Sequence, residues 1–222
     1  MPAFFITGTG TDIGKTFVSC GLITSFRNRG RAITALKPVV SGFDPAHPAR
    51  SDGGLMLAAR GEPCTAQNIA RVSPWRFRAP LSPDMAAMRE NRAIDFDAVK
   101  AFTDKAIADN DDILLIESVG GVMVPLTPTH TTLDWMAEAG LPLVLVAGSY
   151  LGAISHALTA IDCVRQHGLA ISALVVNQTL DSTVALDDTA AAITRHSGLT
   201  AFTLARNAGA EVFHKLADIV EA

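Results

Sequence analysis

Two unbroken apolar runs, Ile113-Leu114-Leu115-Ile116 and Leu143-Val144-Leu145-Val146, set the strongest limit on the architecture. A strand with one wet face alternates apolar and polar residues. A strand that is apolar at every position must be covered on both faces, which points to a parallel sheet held between helices. Shorter runs of strand length recur at Ala3 to Thr7, Ile33 to Lys37, Ile171 to Val176 and Ala201 to Leu204. Between them lie stretches of helical length that close at a glycine: Lys15 to Arg29 at Gly30, Leu151 to His167 at Gly168, and Ser182 to His196 at Gly198. Glycine just past the last turn is a frequent helix stop. The alternation predicts an α/β fold with a central, mostly parallel sheet flanked by helices on both faces.

The stretch from Pro38 to Pro83 breaks this rhythm. Pro45, Pro48, Pro63, Pro74 and Pro80 fall within it, and it is expected to form long loops around short helices. No repeat, low-complexity segment or linker divides the chain, so residues 1–222 are expected to form a single domain. A hydrophobic fraction of 49% with 18% charged residues excludes a disordered chain. The net charge of −4 offers no global positive field, so neither nucleic acid nor a membrane surface is expected as a partner. Cys20, Cys64 and Cys163 are odd in number and far apart, which fits a reducing compartment better than a disulfide framework or zinc clip. The opening residues carry no leader-like pattern, and a cytoplasmic location is expected.

The strongest chemical signal is Gly8-Thr9-Gly10-Thr11-Asp12-Ile13-Gly14-Lys15-Thr16, placed after the first strand and opening the first helix. Such a loop presents backbone N–H groups and a helix N-terminus to phosphate oxygens, adds a lysine charge, and offers a hydroxyl to Mg²⁺. Lys15 and Thr16 take the last two roles. The usual pattern has four residues between its glycines, whereas Gly8 and Gly14 are separated by five, so this is a long form.

Glu117 ends a buried strand, at the edge where open α/β sheets bind ligands. It is read either as a Mg²⁺ ligand or as a strand-end acid facing solvent. Asn177 follows the fifth strand and either reads a base edge or caps a loop. The guanine-reading pattern Asn-Lys-x-Asp would need lysine at Gln178 and aspartate at Leu180, so adenine is favoured.

Together with Lys37-Pro38-Val39-Val40-Ser41-Gly42, these blocks resemble the dethiobiotin synthetases, P-loop ATP-dependent carboxylases of biotin biosynthesis. The resemblance spans nearly the whole chain. It includes Ser51-Asp52, Pro80-Leu81-Ser82-Pro83, Glu117 with Gly120-Gly121, Gly148 to His156, and Asn177. It implies a P-loop NTPase-like fold and a ligase that closes a ureido ring on 7,8-diaminononanoate (diaminopelargonate) with CO₂, using ATP and Mg²⁺. A carbamate and its phosphorylated anhydride would be the intermediates.

By position, the resemblance places Asp12, Ile13, Gly14, Lys15, Thr16 and Phe17 around ATP, with Asp52, Glu117, Ser118, Val119, Gly120 and Asn177. Thr16, Asp52 and Glu117 would hold Mg²⁺. Lys15, Lys37 and Thr11 would serve the chemistry, and Lys37 with Ser41 the reacting end of the substrate. Asp52 is equally read as a helix cap, a role open to Ser51 as well. Gly148, Tyr150, Leu151 and Gly152 would bind the substrate carboxylate of a neighbouring subunit, implying a homodimer.

The chain departs from the family in three places. Glu117-Ser118-Val119-Gly120-Gly121 stands where Glu-Gly-Ala-Gly-Gly is usual, so either the backbone at Ser118 is ordinary or the diamine pocket is reshaped. Asn177-Gln178 replaces Asn-Asp, and Ala201-Phe202-Thr203 replaces an adenine-side Ile-Pro-Trp segment. Two rivals share the scaffold. A carboxylate-activating, amide-forming enzyme would usually carry a glutaminase domain, for which no room remains. A nucleotide-switched partitioning ATPase would carry its signature lysine at Gly10. Trp75 and Trp135 are read as packing residues, and His156 is the one histidine close to a site segment.

Overall fold

A computed structural model describes residues 1–180 and 182–221. Six strands form the central sheet: β1 (Ala3–Gly8), β2 (Ile33–Leu36), β5 (Ile113–Glu117), β6 (Leu143–Ala147), β7 (Ile171–Asn177) and β8 (Ala201–Leu204). Their spatial order is β2-β5-β1-β6-β7-β8, and every pairing is parallel.

The unbroken apolar runs divide residue by residue between two cores. Phe4, Ile6, Ile113, Leu115, Val144 and Val146 face one side, where they meet Leu22 and Phe26 of α1 (Lys15–Asn28) and Phe213 and Leu216 of α9 (Ala210–Glu221). Phe5, Leu114, Ile116, Leu143 and Leu145 face the other, against α6 (Thr132–Ala139), α7 (Ala153–Gln166) and α8 (Leu186–Ser197). Both faces are covered, which is why no alternation survives in the sequence. Trp135 of α6 is 1% exposed, meets Phe5 edge-on and donates its indole N–H to Thr103 Oγ1. It is a packing residue, as is Trp75, which meets Phe102 edge-on.

The proline-rich stretch is more ordered than loops around short helices. It holds a second, two-stranded parallel ladder in which β3 (Val39–Ser41) pairs with β4 (Trp75–Phe77). Between them lie a 3₁₀ turn (Pro48–Arg50), α2 (Asp52–Arg60) and α3 (Ala66–Val72). After the ladder come α4 (Pro83–Arg89) and α5 (Phe96–Ala108). Three-residue strands carry too little pattern to be seen in a sequence. Two helices also start later than expected: α7 at Ala153, after Gly152 with φ +98°, and α8 at Leu186.

Register places the functional groups. Ile6 lies beside Glu117, Leu36 beside Ile116, and Gly8 beside Val146. The loop leaving β1, the acid ending β5 and Lys37 just past β2 therefore emerge at one level on the carboxyl edge of the sheet. The connection leaving β1 runs to β2 on one side and that leaving its neighbour β6 runs to β7 on the other, which makes the crevice where open α/β sheets take ligands. No helix among the described residues is long and apolar enough to cross a membrane.

Candidate active site

The loop from Gly8 to Thr16 wraps the start of α1. Asp12 has φ +58° and Gly14 φ +96°, and α1 has no acidic residue in its first turn and no side-chain cap, so its first backbone N–H groups are left for a ligand. A cavity of about 750 Å³ opens beside it. Its charged lining is Asp12, Lys15, Lys37, Asp52 and Glu117, and its apolar lining includes Val40, Pro80, Leu81, Val119 and Val124.

Glu117, fully buried, is held by three donors. Thr16 Oγ1 donates to Oε1 at 2.9 Å, Ser19 Oγ to Oε2 at 2.5 Å, and Lys37 Nζ to Oε1 at 2.7 Å. This places Glu117 in the site rather than at a solvent-facing strand end. Lys37, 2% exposed, also donates to the Ser118 carbonyl at 2.6 Å and stands 3.3 Å from Asp52 Oδ2. Burial works against its ammonium, but the Glu117 and Asp52 carboxylates outweigh it and raise its pKa above the ordinary lysine value. Burial likewise pushes the Asp52 carboxyl up, yet Lys37 and the Thr16 hydroxyl more than offset this and keep it low. The ambiguity over capping resolves by geometry: Ser51 caps α2, accepting from Gly54 N at 3.2 Å, and leaves Asp52 to face Lys37.

Lys15 is different. Its Nζ folds back onto the Gly10 carbonyl at 2.6 Å, and burial, with Lys37 nearby, lowers its pKa to about 8. A phosphate prefers the ammonium, so the binding strength available below that pH is lost as pH rises through it. Calorimetry above pH 8, in buffers of different ionisation enthalpy, is expected to show ATP binding with uptake of up to about one proton and a falling affinity. Binding without proton uptake would contradict that reading of Lys15.

Ser118 and Val119 have ordinary backbone; the positive φ falls on Gly120, at +62°. Ser118 is fully buried, donates its hydroxyl to Thr7 Oγ1 at 3.0 Å, and turns its carbonyl to Lys37. Serine is accommodated there because its side chain has a partner. Ser41 Oγ is buried without a hydrogen-bond partner, and Ser41 lines the cavity.

A second cavity of about 520 Å³ lies on the other side of the loop. Thr11, Asp12 and Gly14 line both, so the loop forms the wall between them. Ile13, Phe17, Asn177, Gln178 and Arg206 also line the second. Asn177 Nδ2 donates to the Ile13 carbonyl at 2.9 Å, while Oδ1 is buried without a partner. Ala201-Phe202-Thr203, which replaces the family's adenine-side segment, lies within strand β8, paired to β7; the chain reaches the cavity only beyond it, at Arg206. None of Gly148, Tyr150, Leu151 and Gly152 lines the first cavity of its own chain. Tyr150 lines the second, and Leu151 is 80% exposed.

Ser19 and Arg206 were not legible as site residues. Ser19 has a retrospective signal: it follows Thr16 by three positions on one helix and so shares its face.

A loop of backbone amides at a helix N-terminus, with one cavity on each side, is built for a nucleoside triphosphate, and fold and site together define a P-loop nucleotide-binding protein. Residues 2–206 match the family model described as AAA domain. The ATP-dependent dethiobiotin synthetase BioD of Acidiphilium cryptum is 46% identical over 90% of this chain and 90% of its own length. That of Methylobacterium nodulans is 45% identical over 94% and 95%. The chain belongs to this dethiobiotin synthetase family, whose members are ATP-dependent ligases. The Pyrococcus furiosus cell division ATPase MinD superposes with a TM-score of 0.59 at 14% identity, over 100% of this chain and 99% of that one, a likeness of fold alone.

Proposed function

We propose that the protein closes the ureido ring of dethiobiotin from 7,8-diaminononanoate and CO₂, converting ATP to ADP and phosphate. The observation that carries this reading is Lys37, a buried ammonium kept charged by two carboxylates on the boundary between a phosphate loop and an apolar-walled cavity. One amine of the substrate adds to CO₂ and loses a proton, giving a carbamate. A carbamate oxygen displaces ADP from the γ-phosphorus, forming the mixed anhydride. The second amine then attacks the carbonyl carbon, the C–O bond to phosphate breaks, and a proton leaves with the closing ring.

Phosphoryl transfer chiefly needs positioning and charge compensation. Lys15 serves the β- and γ-phosphates, and Lys37 sits where carbamate and γ-phosphate meet. Thr11 and the unpartnered hydroxyl of Ser41 bind the reacting end, while Val40, Leu81, Val119 and Val124 suit the aliphatic chain. On the other side of the loop, Phe17, Ile13 and Asn177 take the nucleoside.

The donors Thr16, Asp52 and Glu117 fit Mg²⁺: a hydroxyl and two carboxylates are hard ligands, and Mg²⁺ commonly joins one or two carboxylates to substrate phosphates. The Lys37 ammonium bridges these same carboxylates, marking the place as one that takes positive charge. When bound, the ion would neutralise charge on the phosphates.

In this reading the protein acts as a homodimer, because Leu151 and Gly152 do not line the cavity of their own chain and would serve a neighbour's. The deciding experiment supplies ATP, Mg²⁺, bicarbonate and the diamine. Diamine-dependent ADP release, with a product heavier than the diamine by one carbonyl and lighter by two hydrogens, is expected. ATP binding without diamine dependence would transfer the site to another carboxylate-activating reaction.

A further inference from the structure

Tyr150 precedes α7 on the segment that the family resemblance ties to the substrate carboxylate, yet its ring lines the second cavity with Phe17, Asn177 and Arg206. Two contacts fix the ring there. Its hydroxyl is 2.8 Å from His156 Nδ1, on the first turn of α7. Its edge lies against Gly148, where a Cβ would come within 2.8 Å of ring carbons, so only glycine leaves the room. The ring also packs against the core cluster that contains Ile13, Val146 and Val175. An aromatic ring held from both ends in a cavity that adjoins a phosphate loop is suited to an aromatic base, and base–aromatic contact is a substantial, base-tolerant source of affinity.

We propose that Tyr150 is a nucleobase-contacting residue of its own chain's ATP site and that His156 positions it, so that this segment divides its work: Tyr150 turns inward to the nucleotide and Leu151 outward. The inference rests on the reading of the second cavity as the nucleoside site. It assigns His156 a role that does not touch the ligand.

Tyr150 is the chain's only tyrosine, so replacing it with 3-fluorotyrosine gives a single ¹⁹F resonance at the position in question. ATP is expected to shift that resonance, whereas tripolyphosphate, which fills the phosphate loop without a base, is not. Tyr150→Ala is expected to weaken ATP binding roughly 5- to 100-fold with the diamine KM unchanged. Tyr150→Phe, which keeps the ring but loses the hydroxyl that His156 holds, should weaken ATP binding only to the small extent that His156→Ala does. His156→Ala should broaden or split the ¹⁹F signal and weaken ATP less than Tyr150→Ala does.

Equal shifts with ATP and tripolyphosphate, or no shift with ATP, would overturn the proposal. So would a Tyr150→Ala enzyme that binds ATP normally but has a raised diamine KM. Diamine-dependent ADP release by the unlabelled protein tests the reaction separately: a silent resonance in an enzyme that turns over overturns the placement of Tyr150 alone. An ATP-specific shift in a protein without that turnover overturns only the substrate.

Discussion

Replacing Lys37 with methionine is expected to lower turnover by about 10²–10³ at saturating ATP, the scale for losing one electrostatic contact to developing charge, while ATP still binds. The same change is expected to destabilise the protein by about 3–5 kcal/mol, because Glu117 is fully buried and loses its countercharge. Denaturant unfolding of Lys37→Met beside Lys37→Met/Glu117→Gln separates the two effects. The second change removes the stranded carboxylate and should recover most of the stability, showing that the loss came from an uncompensated charge and not from missing methylenes. Turnover of Lys37→Met within tenfold of wild type would remove Lys37 from the chemistry.

The second large effect belongs to Gly14. Its φ of +96° is unfavourable for any residue with a side chain, and a Cβ there would lie 2.1 Å from Asn177 Nδ2. Gly14→Ala must therefore push Asn177 off the Ile13 carbonyl or move the loop that separates the two cavities. Strain of about 3 kcal/mol corresponds to a loss of ATP affinity of about a hundredfold. Calorimetry should show that loss. ATP affinity preserved in the variant would mean that the loop takes another path when ATP binds.

The architecture was largely legible because both of its signals are periodic and local: apolar runs with no polar face, and glycines just past helix ends. The phosphate loop and Glu117 were legible for a related reason, since each occupies a position that an α/β sheet reserves for ligands. Other features required contacts between distant residues. Ser51 and Asp52 are neighbours with equal claims to cap α2, and only the proximity of Lys37 distinguishes them. Ser118 reads as a lost glycine until its hydroxyl is seen against Thr7. The last strand, Ala201 to Leu204, was legible as a strand, but that the chain reaches the cavity only beyond it, at Arg206, required the pairing with β7. That the Tyr150 ring lies against Gly148 and lines the second cavity likewise shows only in three dimensions.

The two lysines stand on supports of unequal strength. Lys15 follows the loop from β1, a strand flanked on both sides in the middle of the sheet, while Lys37 extends from β2, a four-residue strand on the rim with β5 as its sole sheet partner. Rim elements open at lower free energy than central ones. Opening of that rim would carry Lys37 away from Glu117 and strand its buried carboxylate, so the weakest edge of the sheet is held shut by the ion pair at its own inner end.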